Sequence, residues 1–214
     1  MSELTKRQKI FIQEAINTQA LEFGNFILKS GRESPYFFNA SKLIAKGNLS
    51  LITDAFEEIF NNASIKIDQI FGPAYKGTIL GSFLGLRLQK NNNEISLCFN
   101  RKEIKDHGEK GVFIGAKPTG RVLIIDDVLS AGTAATESIK LIKNANATPM
   151  ALIVGLNRQE KGSGQESAAI ELEAKFNIRV YSIIDLDDLI VYLEEENKIR
   201  ELESMQAYRE KWGA

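Results

Sequence analysis

An α/β fold, a mostly parallel central sheet flanked by helices with a small N-terminal hood, is predicted by three observations. Apolar runs, above all Val122–Ile125, three of whose four residues are β-branched, and Met150–Leu156, have the composition of strands buried on both faces of a parallel sheet. Stretches of helical apolar spacing lie between such runs, the alternation that builds βαβ units. Two β-like runs, Ala20–Lys29 and Ser34–Asn39, are joined by a glycine turn and stand outside that alternation.

The 214 residues suffice for one domain, with the hood contributed mainly by residues 20–45. A balance of 27 basic against 28 acidic residues leaves a formal charge of -1 and argues against a nucleic-acid partner, which would call for a basic excess. Cys98 is the single cysteine, so no internal disulfide forms. No apolar run reaches the roughly 18 residues of a membrane span, and the N-terminus has no apolar signal region. The expectation is a soluble cytoplasmic protein with no membrane partner.

Taken in order, Thr5 with Gln8 three residues on reads as a capping box. The helix it opens turns Phe11, Ala15 and Ile16 inward and ends near Thr18. The hairpin follows, with Pro35 confining its second run to an edge. Phe37 and Phe38 point to opposite faces of an extended segment, so at most one stacks flat on a planar base. Gly47 or Asn48 precedes a helix that buries Leu49, Ile52, Ala55, Phe56, Ile59 and Phe60. Gln69–Gly77 is a short strand ending in a tight loop bounded by glycine and proline, with a helix from about Thr78. Ser96–Asn100 is a third strand.

Arg101–Gly111 then carries four Lys/Arg, three Asp/Glu and the only histidine, His107, against one apolar residue, Ile104. Such a stretch cannot bury itself and is expected to be a loop that moves when unliganded. Val112–Gly115 and Lys117–Arg121 return the chain to the central strand. Ala168–Phe176 is a helix and Arg179–Ile184 the last strand. Leu186, Leu189, Ile190 and Leu193 form a helical stripe that Ile199, Leu202 and Met205 continue weakly. The charged remainder, Glu194–Lys211, is expected to be a solvated or interface helix.

The chemistry concentrates in Val122–Ala134. Four apolar residues lead to two adjacent carboxylates, Asp126 and Asp127. Then Ser130-Ala131-Gly132-Thr133-Ala134 supplies small side chains at the start of a helix, where unpaired amides and the dipole favour a phosphate. A ribose 5-phosphate suits this pattern, with the acids accepting from its hydroxyls. The alternative is an ordinary strand–turn–helix whose aspartates cap the turn. No Gly-Lys-Ser/Thr follows, and no Gly-x-Gly-x-x-Gly is present, which excludes a Walker loop and argues against a dinucleotide site.

Val122–Ala134 resembles the 5-phosphoribosyl 1-pyrophosphate (PRPP) signature of type I phosphoribosyltransferases. The resemblance narrows to orotate phosphoribosyltransferases through Lys29 at the hairpin end, Phe37-Phe38 beyond it, Tyr75-Lys76 in the tight loop, the Arg101-Lys102-x-x-Lys105-x-His107 pattern, and Arg158 at a strand end. It implies PRPP binding by Lys29, Tyr75, Lys76, Arg101, Lys102, Lys105, His107, Asp126, Asp127, Val128, Leu129, Ser130, Ala131, Gly132, Thr133 and Ala134. Orotate would be bound by Phe37, Phe38, Ser130 and Arg158, and catalysis carried by Lys102, Lys105, His107, Asp126 and Asp127. Ser130 and Asn157 stand where the family usually has threonine and aspartate; both keep polar function. Mg²⁺ is implied as a cofactor carried by PRPP, with no dedicated protein ligands, and so is a homodimer in which Lys102 reaches the neighbouring site. A phosphoribosyltransferase for another base and a non-catalytic PRPP-sensing regulator are the competing readings.

Overall fold

The computed structural model describes residues 3–28, 31–90, 94–105, 111–162 and 164–214. The Thr5–Gln8 capping box is present and opens α1 (Lys6–Asn17). β1 (Leu21–Ile27) and β2 (Glu33–Phe38) form an antiparallel two-stranded sheet of their own. α2 (Ala40–Lys46) follows, capped by Asn39, and then α3 (Leu49–Ala63), capped by Asn48.

The remaining strands make a six-stranded sheet: β3 (Gln69–Gly72), β4 (Ser96–Lys105), β5 (Gly111–Gly115), β6 (Arg121–Leu129), β7 (Thr148–Asn157) and β8 (Arg179–Asp185). Its order is β5-β4-β3-β6-β7-β8, parallel except for β5, which pairs antiparallel with β4 at one edge. The connecting helices are α4 (Lys76–Lys90), α5 (Thr133–Asn144) and α6 (Ala168–Phe176); α7 (Leu186–Glu195) and α8 (Ile199–Trp212) close the chain.

Residues 122–125 of β6 are all fully buried, as a central parallel strand requires. Their alternation divides the core. Leu123 and Ile125 pack with Ile70, Ile153 and the helices α1, α3, α4 and α7. Val122 and Ile124 pack with Phe71, Leu152, Val154 and the faces of α5 and α6. Cys98 lies in this second layer, fully buried, and burial pushes its thiol up to about 12. Among the described residues no helix is long and apolar enough to cross a membrane.

Five expectations need correction. Leu49, expected to be buried, is 40% exposed at the start of α3. α2 was not foreseen, because seven residues carry too little periodicity to announce a helix. β4 does not stop at Asn100: pairing with β5 extends the ladder to Lys105 across an irregularity, whatever the side-chain polarity, so Arg101 and Lys102 sit on a strand. β6 runs past Ile125 to Leu129 because β7 pairs with it that far, which places both acids within the strand. Glu194–Lys211 is not one helix: α7 ends at Glu195 and α8 begins at Ile199, burying Tyr208 as well as Met205 of the expected stripe.

Leu84 is fully buried on α4 against this core. Leu84→Ala is expected to cost about 2–5 kcal/mol, read as a lower midpoint in urea denaturation with an unchanged slope.

Candidate active site

After β3 the chain leaves through α4 towards β4 on one side; after β6 it leaves through α5 towards β7 on the other. The two adjacent strands therefore open a crevice at their carboxyl ends, the switch point where open α/β sheets bind ligands. The loop after β3 is tightly folded. A Cβ on Gly72 would lie 2.2 Å from the Gly77 carbonyl oxygen, so no other residue fits there. The Ala74 amide donates to Asn100 Oδ1 at 2.8 Å, and the Ala74–Tyr75 peptide is cis. Tyr75 is 68% exposed, and Lys102 Nζ lies 4.7 Å from its ring centroid.

Lys76, first residue of α4, crosses the crevice and donates from Nζ to Asp127 Oδ2 at 2.6 Å. Asp126 and Asp127, adjacent on β6, face opposite sides of the strand. Asp127 lines a cavity of about 590 Å³ and Asp126 a second of about 210 Å³ under the following loop. Burial, then the neighbouring Asp127 charge, push the Asp126 carboxyl up to about 8; the Asp127 amide, donating to Asp126 Oδ1 at 2.9 Å, opposes this in part.

Ser130–Gly132 link β6 to α5. Gly132 takes a left-handed φ of 77° at the N-cap, with no side chain capping the helix. The first-turn amides beside Thr133 and Ala134 are thus left for an anion, and Ser130–Ala134 line the 210 Å³ cavity. Val128 lines both cavities, and so do Ser130 and Ala131. Leu129 is buried and joins the core.

The 590 Å³ cavity reaches from Lys76, Asp127, Ser130 and Ala131 to the hairpin residues Phe37 and Phe38. Phe38 is buried and Phe37 partly exposed, as their opposite faces required, and Phe37 stacks on Phe26 with centroids 5.5 Å apart. Arg158 forms part of the wall although only 4% exposed. Its Nε donates to Glu160, and its Nη2 to Ser34 Oγ at 2.9 Å and to the Tyr208 hydroxyl at 3.0 Å. The guanidinium lies 4.1 Å from the Tyr36 ring centroid.

Several of these residues escaped the sequence reading. Arg32 lines the cavity and donates to Glu160 Oε2 at 2.9 Å. Asn100, which braces the tight loop, was read only as a strand end. The one available signal for Tyr208 was its place three residues beyond Met205, continuing the weak stripe. Lys29 and His107 lie outside the described residues; Lys105 is placed by its backbone at the end of β4. Arg101 lies on β4 and is half-buried.

An acid whose folded value lies above its unfolded 3.8 favours the protonated native state. Stability from this group is full at low pH and is lost as pH rises from about 4 to about 8. Asp126→Asn is therefore expected to raise Tm above the wild type at pH 8, with the gap closing as pH falls to 4. A gap that widened on acidification would refute the assignment.

A family model described as phosphoribosyl transferase domain matches residues 43–181. An orotate phosphoribosyltransferase of Escherichia coli O9:H4 (strain HS) is 44% identical over 208 residues, covering 96% of this chain and 98% of its own length. The crystal structure of an orotate phosphoribosyltransferase from Francisella tularensis superposes with a TM-score of 0.82 at 36% identity, over 96% of this chain and 100% of that one. The Mycobacterium tuberculosis H37Rv orotate phosphoribosyltransferase in complex with PRPP shares the fold, with a TM-score of 0.64 at 18% identity over 86% of this chain and 98% of its own. With its signature loop at the switch point and its relatives matched over nearly their full length, the chain belongs to the phosphoribosyltransferase family, among the orotate phosphoribosyltransferases.

Proposed function

We propose that this chain transfers the 5-phosphoribosyl group from PRPP to N1 of orotate, giving orotidine 5′-phosphate and pyrophosphate in pyrimidine biosynthesis. The observation that carries the reading is the 590 Å³ cavity that brings Ser130 and Ala131 of the anion loop, Asp127 with Lys76, the hairpin aromatics and Arg158 together. The bond from ribose C1 to pyrophosphate breaks, the N1–C1 bond forms, and the N1 proton is lost.

Each group has a role in that scheme. The α5 amides and the Ser130–Ala134 loop hold the 5-phosphate. Asp126 and Asp127 accept from the ribose hydroxyls. Tyr75 and Lys76 border the pyrophosphate. Phe37 and Phe38 flank the base, and Arg158 meets its carboxylate through a planar guanidinium. No covalent nucleophile is required; positioning and charge stabilisation carry the reaction.

The leaving group explains the cationic segment Arg101, Lys102, Lys105 and His107. A cation 4 Å from a phosphate charge gains about 1 kcal/mol in water and about 4 near a partly dehydrated surface. Closing that segment over the site strengthens every contact and keeps water from the electron-poor C1. In a homodimer, Lys102 serves the neighbouring site.

Mg²⁺ completes the reading. Among the described residues no cluster of three His, Cys, Asp or Glu side chains is built to hold a metal. Such a hard cation would take its ligands from PRPP oxygens and water rather than from a protein cage, beside the crevice carboxylates Asp126 and Asp127. When bound, it neutralises charge on the departing pyrophosphate. A balanced net charge and a single cysteine suit a cytoplasmic setting.

Purified protein is expected to consume orotate, followed by its ultraviolet absorbance, with PRPP and Mg²⁺, and to stop when a chelator is added. Unchanged orotate under those conditions would overturn the proposal. Lys102→Ala and Asp127→Ala chains, each inactive alone, are expected to regain activity when mixed into heterodimers; no recovery in confirmed mixed dimers would return Lys102 to its own site.

A further inference from the structure

Arg158 is held from three directions that the sequence keeps far apart. Its Nε donates to Glu160; its Nη2 donates to Ser34 of β2 and to Tyr208 of α8. Its face rests on the Tyr36 ring, which meets Tyr208 edge-on at 5.9 Å. Glu160 is 2% exposed, and it also accepts from the Tyr208 hydroxyl and from Arg32 Nη1. The end of the chain braces this cluster. Arg32 lies 4.8 Å from the Trp212 ring centroid, Glu160 bridges to Gly213, and the Lys161 amide donates to the Trp212 carbonyl at 3.0 Å.

We infer that Glu160 and Tyr208 are positioning residues that set Arg158 for the carboxylate of the base. This rests on the proposed orotate reading and adds which groups determine base recognition. Among the charged residues lining the cavity, Lys76 is matched by Asp127 and Glu160 offsets one of the two arginines. Among the described residues one net positive charge remains, the complement of a mono-anionic base. With Nε and Nη2 committed to protein partners, the guanidinium has one orientation to offer, and it loses less freedom when a ligand binds. A buried carboxylate bonded to both arginines is costly unless its partners are fixed, and the Tyr208 hydroxyl supplies a third bond that fixes it.

The test compares full-length wild type, Glu160→Gln and Tyr208→Phe by separate KM values for orotate and PRPP, with Tm alongside. Glu160→Gln is expected to raise the orotate KM by about tenfold and Tyr208→Phe by about threefold, with the PRPP KM held within twofold. Parallel rises in both KM values, or a fall in Tm with neither KM changed, would show a purely structural role and overturn the inference. Unchanged behaviour throughout would overturn it as well. Tyr208→Phe removes one oxygen and keeps the ring, so it decides the matter even where Glu160→Gln does not fold. Wild-type protein inactive on orotate would bring down the function reading, and this inference with it; active wild type with indifferent variants would bring down this inference alone.

Discussion

A strand buried on both faces has nowhere along its length to carry charge, and this constraint organises the molecule. β6 holds four fully buried apolar residues and then, where β3 stops pairing with it while β7 continues, two carboxylates. Those acids can stay only where a cation or a ligand compensates them. Lys76 provides the cation for Asp127 at 2.6 Å, because the loop after β3 turns tightly enough for α4 to begin against the same strand end. The bareness of Gly72 and Gly77 makes that turn possible. Among the described residues Asp126 has no cation so close, and burial with the neighbouring Asp127 charge pushes its carboxyl up to about 8. A strand end that carries two adjacent acids thus carries a cost in stability.

Two kinds of electrostatics operate on either side of this strand end. At the start of α5 the field comes from backbone dipoles, which are fixed by the fold and need no charged side chain. The hairpin end works through the Arg158 and Arg32 guanidinium groups locked against Glu160, an arrangement that is rigid and expensive to dismantle. The cationic segment on β4 belongs to neither, and Lys102 is exposed at its start.

What could be read beforehand was local. The capping box at Thr5 and Gln8, the buried run of β6, the bounds of α6 and the opposed faces of Phe37 and Phe38 all depend on neighbours a few residues apart. The parts that escaped depend on distant partners. Arg32 finds Glu160 across 128 positions, and Tyr208 finds it across 48. No periodicity in either segment announces the meeting. β4 outruns its apolar stretch because β5 offers a ladder, and pairing of that kind leaves no mark on either strand alone. The signature at Val122–Ala134 was legible because one short segment contains strand, acids, turn and helix start together.

Cys98 has a practical consequence. It is the sole thiol of the chain, fully buried in β4 with its ionisation pushed up to about 12. Alkylating reagents attack the thiolate, so the native protein withholds it both sterically and chemically. Its rate of modification becomes a clock for opening of the central sheet, separable from movements nearer the crevice. Cysteines introduced at exposed positions could be tagged without first deleting the native one, so spectroscopic probes can be attached to an otherwise unaltered protein.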